Sequence, residues 1–345
     1  MQRGFIMITA AMCLVGLLTL VGLATDLARL YVARNELQVF VDEAALAASF
    51  ELDGTPQGIT RAQTVAMAGP GSTPNRWYFG TQAASGVTVQ FASAPSGPFT
   101  SSPPSPAGQR FVKLQVNATV NFYFLPLVPG ISSAQNVTVS AAAGQCQASS
   151  LGDGMSPFSP DAHIPGDLNY GFTVGQLYTL RWPAPGQRKP GNGCAGDNGY
   201  SPQGSSERGY VDVGQGTGSN ALSQAVIDNN FFLPAPLAPG APLNMLTGQA
   251  SVPSALQTRF SQDTDLTAPN FDAYRGNGRR LLTVPVNNGA VSPVVAGFAL
   301  FFLQPSPCGN QNSSSCCAEY VGPAVFSSTR RGAGTPGLYL VQLVE

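Results

Sequence analysis

The hydrophobic pattern of the chain begins with a long run that contains no charged residue, from residue 5 to residue 25. A helix of this length reaches about 30 Å at 1.5 Å per residue, which matches the hydrocarbon core of a bilayer. Leucine, isoleucine, valine and phenylalanine in such a run favour insertion. The pattern therefore predicts one transmembrane anchor. The residues proposed to form this membrane anchor are Phe5, Leu14, Leu17, Leu18, Leu20 and Leu23.

Two other interpretations of this run remain open. A cleaved secretory signal has a shorter apolar core, about 7 to 15 residues, and ends in small residues, whereas here Leu23-Ala-Thr25 precedes Asp26. A prepilin-type leader would be cut between Gly4 and Phe5, but the glutamate usual at the fifth mature position is replaced by Thr9. We expect the anchor to be retained.

The next residues, 26–50, contain neither glycine nor proline and keep apolar residues at heptad spacing. This pattern predicts that the anchor helix continues out of the bilayer. A period near 3.5 suits packing against another helix or against the protein's own domain, and the alanines permit close approach. The predicted packing residues are Leu30, Leu37, Phe40, Ala44 and Ala47. The sequence Asp53-Gly-Thr-Pro56 predicts the end of the helix.

Strict alternation of apolar and polar residues then predicts strands. It is longest over 110–122 and recurs over 87–91 and 137–141, so that three strands can form one antiparallel sheet. Prolines in 94–107 predict an exposed loop. Later in the chain, 219–232 and 252–260 are predicted helices, and four apolar runs are predicted strands: 281–286, 294–303 (a central strand), 320–326 and 338–344.

These elements predict an α+β protein in which a transmembrane helix continues into a long helix and is followed by mainly antiparallel β domains. The predicted divisions are a cytoplasmic stub (1–4), the anchor (5–25), a helix with a small antiparallel sheet (26–146), a linker (147–160) and a mainly β, Gly/Pro-rich C-terminal domain (161–345).

The composition of the chain narrows the range of possible functions. The 345 residues are 43% hydrophobic and only 10% charged, with 39 glycines, 29 prolines and a net charge of −1. Gly and Pro in this amount favour short strands joined by turns. Basic residues occur only as isolated pairs, so the sequence provides no electrostatic footprint for nucleic acid. Charge on the two sides of the anchor does not decide its orientation.

The six cysteines indicate in which cellular compartment the body of the protein lies. Cys13 lies in the apolar run. The five cysteines outside this run are Cys146, Cys194, Cys308, Cys316 and Cys317. Because five is an odd number, at least one of them is left unpaired. One bridge from Cys308 to Cys316 or Cys317 would close a small polar loop in an oxidising compartment. The spacing does not resemble a zinc site. We therefore expect disulfides, no metal and a body outside the cytoplasm.

Side chains that could carry catalysis are few. His163 is the single histidine, so a Ser-His-Asp or Cys-His mechanism would need it, and its Gly/Pro-rich surroundings predict an exposed loop imidazole. The pairs Asp161 with Asp167 and Asp263 with Asp265 could hold a cation, but the sequence favours solvated or turn-capping roles. We expect no cofactor and no enzymatic activity, and identify no small-molecule substrate.

The opening sequence resembles the N-terminal region of TadG-like proteins of the tight-adherence (Flp-type) pilus assembly system. The features that carry the resemblance are the Arg3-Gly4 start, the apolar span, the Asp26 exit followed by Arg29-Leu-Tyr31, and the helix Asp42-Glu-Ala-Ala-Leu-Ala-Ala. The strand pair in 111–144 is also similar, so the resemblance covers roughly the first 145 residues.

This resemblance implies a bacterial envelope protein tethered in the inner membrane by a single pass, with its body in the periplasm or at the cell exterior. It implies partners among other pilus assembly proteins and no enzyme activity. Some relatives carry a von Willebrand A domain, but the Asp-x-Ser-x-Ser run of its metal site does not occur here. A membrane-tethered binding or adhesion module without a pilus role is the alternative function, and an extracytoplasmic hydrolase using His163 is a third.

Overall fold

The computed structural model describes residues 2–68, 76–77, 82–83, 86–127, 130–184, 191–200, 207–229, 232–247, 252–306, 308 and 314–344. The chain forms two compact units. Met1–Gly144 and Val341–Glu345 make up the first unit, and Gln145–Leu340 make up the second. The fold is α+β with mostly antiparallel sheets after a long N-terminal helix, as the sequence predicts.

Four helices and thirteen strands are found in the described residues. The helices are α1 (Gln2–Phe50), α2 (Pro56–Ala68), α3 (Ser219–Asp228) and α4 (Val252–Ser261). The strands are β1 (Arg76–Trp77), β2 (Gln82–Ala83), β3 (Val87–Ala92), β4 (Phe111–Asn121), β5 (Ala134–Gln147), β6 (Leu177–Arg181), β7 (Glu207–Val211), β8 (Met245–Thr247), β9 (Leu281–Asn287), β10 (Val295–Phe302), β11 (Cys316–Tyr320), β12 (Ala324–Val325) and β13 (Leu338–Val344).

Helix α1 of the first unit runs without a break from the apolar run into the predicted packing segment. It ends at Phe50, but the stop signal after it also starts a second helix that the sequence analysis did not predict. Thr55 caps α2 through its Oγ1, which accepts the Gly58 amide at 3.0 Å. Pro56 occupies the first helical position, where its fixed φ favours the helix and no amide is needed.

The sheet of the first unit confirms that the three predicted strands pair antiparallel. Strand β4 pairs antiparallel with β3 on one side, where Val116 faces Val87, and with β5 on the other, where Val116 faces Val139. Its apolar face is buried at Val112, Leu114, Val116 and Val120. Helix α1 contacts β4, and α2 contacts α1 and β3. The two helices therefore cover the apolar side of this sheet.

The second unit is built on an antiparallel sheet in the order β6-β11-β10-β9. Strand β10 is a central strand, as predicted. Ala299 and Phe301 lie in one hydrophobic core, whereas Phe298, Leu300 and Phe302 lie in a second core. Because both faces of β10 are buried, its sequence is a continuous apolar run rather than an alternating one.

Residues 147–160, which the sequence assigns to a linker, are not a linker in the structure. Gln147 ends β5, and the following segment lies in the second unit, where Met155 and Phe158 are buried in its cores. The amide of Ser156 donates to Thr283 O at 2.7 Å, and that of Ser159 donates to Gly209 O. A segment with buried apolar side chains and backbone hydrogen bonds of this kind is an integral part of the unit.

Other predicted elements differ in extent. The predicted helix 219–232 ends early, at Asp228, because Asn229 adopts a left-handed conformation (φ 54°) and its amide bonds Ala225 O. The predicted strand 320–326 is replaced by the end of β11 and by the short β12, which pairs parallel with the start of β13. Helix α4 and strands β9 and β13 occur where they were predicted.

Two of the buried arginines of the second unit each bind several main-chain oxygens. Arg280 donates to the carbonyl oxygens of Leu303 (2.7 Å), Asp265 (2.8 Å) and Ala268 (2.7 Å). Arg259 donates to the carbonyl oxygens of Arg279, Val226, Ile227 and Leu281 at 2.7–3.2 Å. Burial, followed by the charge of Arg279, lowers the pKa of Arg259 to about 10. These guanidinium groups join helix ends, loops and strand ends into one unit.

Candidate functional site

Helix α1 is long and apolar enough to cross a membrane, and no second such helix occurs in the described part of the chain. Among the predicted anchor residues, Leu14, Leu17 and Leu20 are 60–64% exposed, and Leu23 is also exposed. The side chains of Phe5 and Leu18 lie outside those that the structure describes. A helix whose apolar side chains are left uncovered by its own protein is typical of a segment that lies in lipid.

After Asp26, α1 changes from an exposed helix to a packed one. The predicted packing residues Leu37, Phe40 and Ala44 are buried, whereas Leu30 and Ala47 are half-buried. This face lies against α2 and β4 of the same unit. The helix thus has two parts with different environments, and the change occurs at the first charged residue after the apolar run.

Asp26 marks this change and is almost fully buried. Its carboxylate accepts three consecutive main-chain amides from the loop after β4. The distances are 3.0 Å from Tyr123 N, 2.8 Å from Phe124 N and 2.7 Å from Leu125 N. Leu125 begins a 3-10 turn that ends at Leu127. The carboxylate therefore acts as a cap for a turn almost one hundred residues away in sequence, and fixes that turn to α1.

Two further contacts hold the same loop on α1. A Cβ atom added to Gly22 would lie 2.5 Å from Phe124 Cβ, so Phe124 packs directly on the helix backbone where any other residue would clash. The Arg29 guanidinium lies 4.0 Å from the centre of the Tyr123 ring, in a cation–π contact. The loop is thereby attached over two turns of α1, from Gly22 to Arg29.

Charged groups stabilise the turn between α1 and α2. The Arg61 guanidinium lies 2.9 Å from Glu51 Oε2 and 2.5 Å from Asp53 Oδ2. Burial raises the pKa of Asp53, but the hydrogen bonds from Thr55 and Arg61 and the positive charge of Arg61 outweigh it, so its pKa lies below the ordinary value. Asp53 thus favours the folded state in its ionised form.

We expect acid to remove this contribution. A carboxyl whose pKa is lower in the folded state stabilises the fold above its unfolded pKa, and the contribution is lost as the pH falls through the folded pKa. The melting temperature of the full chain in detergent is therefore expected to exceed that of Asp53→Asn near neutral pH, and the difference is expected to shrink below the ordinary value of 3.8. A difference that stays constant through this range would contradict the assignment.

In the second unit, His163 does not lie in the exposed position that the sequence predicts. Its side chain is 17% exposed, and Nε2 lies 2.9 Å from Oδ1 of the buried Asp197. The ring stacks on Tyr200 at 4.3 Å between centroids and meets the edges of Phe172 and Tyr178. The prediction was wrong because three aromatic rings, distant in sequence, enclose the imidazole.

The four aspartates that the sequence analysis considered as possible cation ligands accept hydrogen bonds from protein groups, and two of them have the turn-capping role that the sequence favours. Asp167 and Asp265 accept main-chain amides within their own turns, such as Gly171 N and Ala268 N. Asp263 accepts the Tyr274 hydroxyl and the Arg280 amide. Asp161 accepts from Tyr200 and Asn287, and burial raises its pKa. The described residues contain no group of three or more potential metal ligands.

Two disulfides lie in the second unit. Cys194 bonds to Cys317, and Cys308 bonds to Cys316 across the small loop that the sequence analysis singled out. Cys146 and Cys13 are the free cysteines of the described chain. The first bond joins residues 123 positions apart and the second joins residues 8 apart. Loop-closure entropy therefore makes the first bond the more stabilising one.

We expect Cys194→Ser with Cys317→Ser to lower the free energy of unfolding of the second unit by about 4 kcal/mol, and Cys308→Ser with Cys316→Ser to lower it by about 2 kcal/mol. Urea denaturation of the full chain in detergent, followed through second-unit peptides by hydrogen exchange, measures both. Cys146→Ser is the matched control and is expected to cause little change. Equal effects of the two pairs would contradict the loop-length argument.

Residues 4–66 match the family described as putative Flp pilus-assembly TadE/G-like. The N-terminal region of this protein is therefore TadE/G-like. The matched segment contains the apolar run, the packed part of α1 and most of α2. No curated protein and no solved structure matches the chain.

Proposed function

We propose that this protein is a non-enzymatic component of a bacterial Flp-type pilus assembly or secretion system. Residues 5–25 anchor it in the inner membrane, and its two folded units lie outside the cytoplasm. The observation that carries the proposal is the TadE/G-like match over residues 4–66. This match covers the exposed apolar part of α1, the packed part of α1 and most of α2. Other pilus assembly proteins are its expected partners.

The disulfides support the extracytoplasmic location of the second unit. Cys194 is buried and bonded to Cys317, and Cys316 is buried and bonded to Cys308. Disulfides of this structural kind persist in oxidising compartments and are rare in a reducing cytosol. The periplasm of a bacterium provides such an environment.

The surroundings of His163 support a non-enzymatic role. The described contacts of its ring are one carboxylate and three aromatic rings, and they include no serine or cysteine side chain that it could activate. Asp197 is itself occupied on its other oxygen, which accepts the Thr179 amide at 2.6 Å. This arrangement stabilises a fold, whereas nucleophilic catalysis needs a hydroxyl or thiol within reach of the base.

The test is genetic and uses a host whose genome encodes a prepilin peptidase and a pilus ATPase beside this gene. Deletion is expected to abolish surface pili in electron micrographs, and the full chain supplied in trans is expected to restore them. His163→Gln is expected to restore them equally if immunoblots show equal protein.

Normal piliation of the deletion strain, with loss of attachment to surfaces, would contradict the proposal and favour a tethered adhesion module. Failure of His163→Gln alone at normal abundance would favour a catalytic role.

A further inference from the structure

The loop that Asp26 holds on α1 carries an exposed apolar surface of its own. We call residues 122–127 the exit loop; its sequence, FYFLPL, contains no charged residue. Tyr123 is 58% exposed and Phe124 is 46% exposed, and Ile131, beyond the loop, is exposed as well. Exposed aromatic residues grouped in this way on a folded unit mark a contact surface rather than scattered surface positions.

The position of the exit loop along α1 indicates what covers this surface. Phe124 packs on Gly22, which lies four residues before Asp26 and therefore about 6 Å closer to the middle of the apolar run. The neighbouring helix residues Val21 and Leu23 are exposed apolar side chains. If the apolar run spans a bilayer, the Phe124 ring lies inside the edge of the hydrocarbon region.

Tyr123 and Arg29 lie at the level expected for the lipid headgroups. Arg29 is three residues beyond Asp26, about 4.5 Å further from the apolar run, and its guanidinium lies over the Tyr123 ring. Tyrosine is enriched at membrane interfaces because its ring is apolar and its hydroxyl is polar. An arginine at the same level can bind lipid phosphate. The two aromatic residues and the arginine thus follow the polarity gradient of a bilayer surface.

We propose that the exit loop is a second lipid contact, in which Phe124 inserts into the bilayer edge and Tyr123 lies among the headgroups beside α1. This proposal rests on the anchoring role of residues 5–25 proposed above. The Asp26 carboxylate is a positioning group for this contact, because its three hydrogen bonds to residues 123–125 set the depth of the loop. The contact fixes the first unit against the membrane surface and limits its rotation about the helix axis.

The experiment places tryptophan reporters in the full chain, reconstituted in phosphatidylcholine/phosphatidylglycerol vesicles with or without bromine on the acyl chains. Phe124→Trp and Tyr123→Trp report on the exit loop. Leu20→Trp reports on the apolar run, and Val39→Trp, at an exposed position about 20 Å beyond Asp26 on α1, is the control outside lipid. Emission of the wild-type chain, which has 2 tryptophans, is subtracted. Circular dichroism confirms the fold of each variant.

We expect brominated chains to quench the added emission of Phe124→Trp and Leu20→Trp by at least about half, Tyr123→Trp less and Val39→Trp hardly at all, in order of depth. Quenching at Leu20→Trp without quenching at either loop reporter would overturn this proposal and leave the anchor intact, with protein rather than lipid covering the loop. Absence of quenching at Leu20→Trp would overturn the anchor as well. Equal quenching at Val39→Trp would also overturn the proposal, because α1 would then lie along the membrane surface.

Discussion

Replacing Asp26 with alanine is expected to release the exit loop from α1 and to lower the free energy of unfolding of the first unit by about 3 kcal/mol. Three consecutive amides lose a charged acceptor, and each buried donor left without a partner costs about 1–3 kcal/mol. The hydrogen bonds of the Tyr123 and Phe124 amides are only partly buried, so water replaces part of the loss. Hydrogen exchange measured by mass spectrometry on the full chain in detergent reports the protection of residues 123–125 directly.

The matched control is Asp42→Ala on the same helix. The Asp42 carboxylate accepts the Gln38 side-chain amide one helical turn away and bonds no exit-loop amide in the described hydrogen bonds. We expect this variant to leave exchange at 123–125 unchanged. Asp26→Asn keeps one acceptor oxygen but no charge and is expected to give an intermediate result. Unchanged protection of these amides in Asp26→Ala would contradict the capping role.

Replacing Arg280 with alanine is expected to lower the free energy of unfolding of the second unit by about 4 kcal/mol. The side chain is fully buried, and its removal takes a charged donor away from three carbonyl oxygens. It also opens a cavity beside the Phe302 and Phe260 rings, which lie 4.3 and 4.9 Å from the guanidinium carbon. Urea denaturation of the full chain in detergent gives the magnitude.

Arg275→Ala provides the comparison at the same cluster. Arg275 is exposed and donates to the carbonyl oxygens of Asp272 and Tyr274 in its own turn. We expect this change to cost less than about 1 kcal/mol, as most surface substitutions do. Arg280→Lys keeps the charge but cannot reach three acceptors at once, and is expected to fall between the two. Equal stability of the two alanine variants would contradict the structural role of Arg280.

The sequence predicts best the helices and strands in which the pattern of apolar and polar residues follows directly from which faces are buried. Strand β4 alternates because one face lies under α1 and the other faces outward, so its buried residues can be identified from their spacing. The helix 26–50 is recognisable because no glycine or proline interrupts it. Strand β10 is also recognisable, because burial on both faces gives an unbroken apolar run.

What could not be predicted depends on contacts between distant residues. The glycine and proline after Phe50 correctly end α1, but the same prolyl residue starts α2, whose cap appears only once Thr55 Oγ1 is placed. The partners of Asp26 are nearly a hundred residues away, and no local signal marks their amides. His163 gains its aromatic neighbours from other loops and strands. The sequence thus predicted the α1 part of the candidate site, but not the loop that Asp26 binds.

The most direct test of the account is whether residues 5–25 hold the full chain in the membrane. Membranes of the native host are washed with alkaline carbonate, and the protein in the pellet is examined by intact mass spectrometry. We expect the chain to stay in the pellet with this segment present. We also expect Leu14→Arg combined with Leu17→Arg, each costing about 3 kcal/mol of insertion, to move the protein to the supernatant. A wild-type chain released by carbonate, or recovered from the culture fluid with its amino end beyond residue 25, would contradict it.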